Sequence, residues 1–108
     1  MTGAVVVASM YEILNASASP SSATGGPGLS PQITNSVTVT AHGGSGSYTY
    51  AWAYTSGDTF NVTSPTSATT TFSKGGATGM YNGVQTCTVT DAAGFSVPVA
   101  VNVQVELS

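Results

Sequence analysis

With 108 residues, 41% of them hydrophobic, the chain has room for one small domain with an ordinary core. Charge is scarce: one Lys, no Arg and four acids give a net charge of -3. That balance excludes nucleic-acid binding, which draws on Lys and Arg to displace counterions, and plentiful β-branched residues argue against disorder.

Thr (17), Ser (15) and Gly (13) make up 45 of the 108 residues. A hydroxyl-rich surface therefore replaces the usual Lys/Glu one, and long charged helices are not expected. At the N-terminus, Val5-Val6-Val7 and Met10-Tyr11-Glu12-Ile13-Leu14 form an apolar arm with a single charge. No Lys or Arg precedes the apolar residues, so the pattern is not that of a secretory signal. No run approaches the roughly 18 apolar residues that span a bilayer, so no membrane segment is expected. An apolar segment this short either completes the domain as a strand or contacts a partner. Val5, Val6, Val7, Met10, Tyr11, Ile13 and Leu14 are the candidate contact residues. The Ser/Ala run Asn15–Ser22 and the breaker Gly25-Gly26-Pro27-Gly28 lack a core period, although Ala18-Ser19-Pro20 could begin an edge strand. Residues 1–18 thus read as an arm or extra strand, and residues 19–108 as the folded domain.

From residue 32 onward short strands alternate with turn clusters. Val37-Thr38-Val39-Thr40-Ala41 puts Val37, Val39 and Ala41 on one face. The Gly-rich stretch His42–Ser47 leads into Tyr48-Thr49-Tyr50-Ala51-Trp52-Ala53-Tyr54, whose four aromatics share one parity. Thr55-Ser56-Gly57-Asp58 turns the chain, and Phe60-Asn61-Val62 is a short strand ahead of the breaker Ser64-Pro65-Thr66. Ala68–Phe72 follows, with Ala68, Thr70 and Phe72 on one face. After the Gly75–Gly79 loop, Gln85–Thr90 points Cys87 and Val89 inward. Asp91-Ala92-Ala93-Gly94 is a hairpin turn into Val97, Val99, Val101, Val103, Val105 and Leu107, which alternate with polar or small residues. Pro98, having no N–H, marks an edge, a start or a bulge. Strands about ten residues apart with no helical period between them predict an all-β sandwich.

Several segments resemble an immunoglobulin-like module of the bacterial and bacteriophage type, related in pattern to PKD domains. They are Asn35–Thr40, the Gly43-Gly44-Ser45-Gly46-Ser47-Tyr48-Thr49-Tyr50-Ala51-Trp52 stretch, Ser56-Gly57-Asp58, Ser64–Phe72 and Cys87-Thr88-Val89-Thr90-Asp91-Ala92-Ala93-Gly94. The resemblance covers about residues 33–106. It implies Greek-key connections, Trp52 as core anchor, and Cys87 in the penultimate strand packing opposite Trp52. Two features depart from the pattern. The second cysteine of antibody-type domains is absent, and Ala53–Asp58 replaces the Phe-Gly-Asp-Gly ending of PKD domains.

The chemistry-bearing residues are few. His42, the only imidazole, sits at a strand end and reads as an exposed loop histidine. Cys87, the only cysteine, lies on a core face where burial raises a thiol's pKa. Asp58 and Asp91 follow turn logic, Glu106 points away from the valine face, and with Glu12 they form no Asp-x-Asp cluster for calcium. The Gly-rich loops lack the Lys-Ser/Thr ending of a phosphate loop. The Asn15-Ala16-Ser17 and Asn61-Val62-Thr63 glycosylation patterns read as chance matches. No catalytic residue, metal or cofactor is expected. Stacking on sugars is left to Tyr81 and Tyr11, because Tyr48, Tyr50 and Tyr54 share the core side of one strand with Trp52.

The resemblance, the absent secretory pattern and the apolar arm together predict a non-enzymatic structural or decoration protein of a tailed-phage virion, on capsid or tail. Its partners would be other virion proteins and further copies of itself on a lattice, assembled in the host cytoplasm. The alternative is a spacer or weakly glycan-binding adhesive module of a bacterial cell-surface protein.

Overall fold

The computed structural model describes residues 12–108. The strands in chain order are β1 (Asn15–Ser19), β2 (Ser22–Gly28), β3 (Gln32–Ile33), β4 (Val37–His42) and β5 (Thr49–Gly57). They continue as β6 (Asn61–Val62), β7 (Thr69–Thr70), β8 (Phe72–Lys74), β9 (Gly79–Thr90) and β10 (Ser96–Leu107). The fold is all-β and sandwich-like. One sheet has the order β2-β10-β9-β5; the others are β1-β4-β7 and β3-β8-β6.

The valine-rich C-terminal strand organises the larger sheet. β10 pairs antiparallel with β9 along its whole length, from Ser96 opposite Thr90 to Leu107 opposite Gly79. The Asp91–Phe95 turn joins them, closed by Asp91 N–H to Phe95 O at 2.8 Å. Period two then buries Val99, Val101, Val103, Val105 and Leu107. β5 lies on the far side of β9 with Trp52 opposite Cys87. From the facing layer Val37 and Val39 of β4 and Phe72 of β8 meet this surface, with Ala23 of β2 closing one side. Trp52 is 6% exposed and meets Phe72 edge-on at 5.5 Å between ring centroids, the geometry that the ring quadrupoles favour. Its indole N–H donates to Ser67 O at 2.9 Å.

Ala68–Phe72, expected as one strand, is divided between β7, which pairs with β4, and β8, which pairs with β3 and β6. Three further stretches differ from the sequence expectation. Residues 15–28 lack an apolar period, yet they form β1 and β2. β1 pairs antiparallel with β4, and the chain then crosses to run parallel to the second half of β10. The inward parity exists, but Ala16, Ala18 and Ala23 carry it, and alanine contrasts weakly with serine. The Thr55–Gly57 turn proves to be the end of β5, which continues past a bulge between Tyr54 and Ser56. That extension carries Tyr54 beyond the core: it is 52% exposed and bonds Gly57 O through its hydroxyl. Finally, β9 begins at Gly79, so Met80–Val84, to which the sequence assigns no element, already pair with β10, and Gly83 and Val84 with β5 as well.

Candidate docking surface

The described part of the chain starts at one end of the sandwich, beside the β9–β10 turn. Gly44 N–H donates to Glu12 O at 2.8 Å, which anchors Glu12–Leu14 to the loop after β4. Leu14 is buried there, whereas Ile13 next to it is 83% exposed. Across from it stands Phe95 at the tip of the hairpin, 70% exposed. Between them runs a groove of about 490 Å³ lined by Glu12, Ile13, Leu14, Gly44, Ser45, Asp91, Phe95, Ser96 and Val97. Of the candidate contact residues, Ile13 and Leu14 lie in this wall. Val5, Val6, Val7, Met10 and Tyr11 fall outside the described residues. Phe95 was not singled out in the sequence, although a large apolar residue directly after a Gly turn was a readable signal.

Asp91 fixes the turn that forms the groove's floor. Its carboxylate accepts N–H bonds from Ser45 at 3.1 Å, Ala93 at 3.0 Å and Phe95 at 3.0 Å. Burial works against the charge, but the N–H groups of Ser45, Phe95, Ala93 and Gly94 outweigh it and hold the carboxyl below its ordinary value. Because the folded-state pKa is lowered, this contribution is complete above the unfolded carboxylate pKa. It is lost as pH falls through the folded value. Acid titration of stability is therefore expected to show a loss in that low-pH window, and Asp91→Asn should flatten it. An unchanged acid limb in the variant would contradict the role given to this side chain.

The remaining candidates are dispersed. His42 is exposed at the end of β4. Asp58 bridges strands: its carboxylate accepts from Asn82 N–H at 2.9 Å, while its own N–H donates to Asn82 O at 2.8 Å. Tyr81 is half-buried, with its hydroxyl on Ala77 O at 2.7 Å and the Lys74 ammonium 5.1 Å from its ring centroid. Among the described residues no three His, Cys, Asp or Glu side chains gather as a metal site would require. Cys87 is fully buried, and burial pushes its thiol above the ordinary value, a backbone contact at Ala51 offsetting part of the rise. The native thiol is expected to resist a disulfide reagent until the protein unfolds. Rapid labelling of the native protein would overturn its inward placement.

A second depression, of about 340 Å³, crosses the outer face of the larger sheet. Ser22, Asn102, Val84 and Ser56 form one row across the four strands, with Thr24, Gln104 and Asn82 in the next. It offers hydroxyls and carboxamides without a charge or an aromatic ring.

On the inner face of the same sheet, Gln85 is 1% exposed, and among the described residues neither its amide N nor its O has a hydrogen-bond partner. It shares the parity of Cys87 and Val89, but the sequence reading points only those two inward. An unpaired buried amide costs about 1–3 kcal/mol, so Gln85→Leu is expected to raise stability by about that amount in urea denaturation. A loss would mean that the amide has a partner in solution.

Comparison of the chain with protein-family models, with curated proteins and with solved structures finds no match.

Proposed function

We propose that the protein is a non-enzymatic, immunoglobulin-like structural module that decorates a tailed-phage particle and is held to it by its N-terminal segment. The observation that carries this reading is an uncharged, valine-bearing N-terminal segment rooted beside an apolar groove. Residues 1–11 include Val5-Val6-Val7 and no charged residue. They precede Glu12 at the end of the sandwich where Ile13 and Phe95 stand exposed beside an apolar groove. Leu29, Ile33 and Met80 are exposed at the opposite end, so it is the continuity of an uncharged segment with an apolar groove, rather than exposure alone, that marks a docking site. A neutral Thr/Ser exterior suits a protein kept in place by an assembly rather than kept apart by charge.

The immunoglobulin-like part of the reading draws support from the strand order. The chain pairs first with β4 and then switches layers to run parallel to β10, and Trp52 lies opposite Cys87 on adjacent strands. Both are arrangements such sandwiches use. The expected result is immunogold labelling of particles released by the host that carries this gene, lost when residues 1–11 are deleted while the domain stays folded. Leu14 is left in place because it is buried. Particles that bind the truncated protein as well as the intact one would reject the arm's role.

The hydroxyl- and amide-lined depression on the larger sheet favours a second reading, an adhesive module that binds neutral sugars. That reading predicts binding on a glycan array that is lost with Asn102→Ala, and an array without signal would remove it.

A further inference from the structure

We infer that the groove between Ile13 and Phe95 receives the Val5–Val7 segment of a second copy of this chain, so that copies are linked arm to groove. The inference deepens the docking role proposed for the arm and rests on it. It begins from an unfinished edge. β10 has β9 along its full length, but β2 joins its other side only from Asn102 onward. Among the described residues, the Ser96–Val101 half of that edge has no strand beside it in its own sheet. The groove opens there, with Val97 and Phe95 on one wall and Ile13 and Leu14 on the other. Pro98 removes a donor from this half-edge. A bound segment would therefore be held mainly by apolar side chains, with few backbone bonds.

The sequence supplies a matching occupant. Three consecutive valines favour an extended conformation, and residues 1–11 carry no side-chain charge to bury. The segment's connection decides between its own groove and a neighbour's. Glu12 is itself part of the groove wall, so Val5–Val7 could enter that groove only by reversing direction within Ala8-Ser9-Met10-Tyr11. That link contains no Gly, Pro, Asn or Asp to turn it. The seven residues Val5–Tyr11, fully extended, reach at most about 23–25 Å from Glu12, enough to meet a small domain packed directly beside it. Each copy then offers one donor segment and one acceptor groove. Such a pairing closes as a reciprocal dimer or ring, or propagates along a lattice.

The test mixes two full-length variants, Val6→Cys and Ser96→Cys, under mild oxidation, with the native Cys87 buried. The expected product is a covalent one-to-one dimer of the two variants. The Val6→Cys/Ser96→Cys double variant should likewise cross-link between chains. Cross-linking only within single chains of the double variant, or no mixed dimer at all, would overturn the inference. In sedimentation velocity the wild type should be oligomeric and Val6→Glu monomeric with unchanged far-UV circular dichroism. A monomeric wild type, or an oligomer that survives Val6→Glu, would also overturn it. The failures are separable. A monomeric wild type that still labels particles leaves the particle reading standing and removes self-docking. Cross-linked copies without particle labelling do the reverse.

Discussion

Replacing Trp52 with alanine is expected to remove about 3–5 kcal/mol from the stability of the domain, a large share of what a small domain possesses. Three losses coincide at this residue. The indole fills the space between the larger sheet and Phe72, it gives up an edge-on contact with that ring, and it leaves Ser67 O without its N–H donor. Ser67 belongs to the loop that also bonds the edge of β5, through Trp52 N–H to Pro65 O at 2.8 Å. The damage should therefore spread from the core to that edge. Urea denaturation measures it directly; a loss below about 1 kcal/mol would mean that the indole is not the anchor of the core.

The second large effect is expected at the base of the arm. Gly43 has φ +78°, and a Cβ there would lie 2.1 Å from Ile13 O. Gly43→Val should cost about 2–5 kcal/mol, combining the left-handed penalty of a β-branched residue with the displacement of Glu12–Leu14. Gly46→Val separates the two contributions. Its φ is +73° but a Cβ there meets nothing within 4 Å among the described residues, so only the backbone penalty of about 1–2 kcal/mol should appear. Gly43→Val should also weaken association, because the segment it displaces forms one wall of the groove. Equal losses at the two glycines would show that Glu12–Leu14 is not held against the loop as described.

The parts of the fold that were legible in the sequence are those where large apolar residues alternate with polar ones. Val97–Leu107, Val37–Ala41 and Tyr48–Trp52 were read with the correct parity, because burying one face of a strand leaves a strong period of two. The hairpin turn at Asp91–Gly94 was readable from its residue types. β1 and β2 were not, because their inward positions are alanines and a parallel partner leaves no local turn signal. The docking surface was half legible. The apolar arm announced itself, but the groove depends on Phe95 and Ile13 being brought together from opposite ends of the chain, and on β2 stopping short along β10. Gln85 shares the inward parity of Cys87 and Val89, but its polar residue type hid that placement.

The account depends on the Trp52-bearing face of β5 being used inside the sandwich, which leaves the groove beside Glu12–Leu14 as its working surface. Trp52 is the only tryptophan, so its fluorescence reports on that face alone. Acrylamide quenching of the native protein should be weak, with a blue-shifted emission that neutral sugars do not alter and that urea moves to the solvent-exposed position. A native emission quenched as freely as the denatured one, or displaced by a saccharide, would place the indole in an open groove and contradict the account.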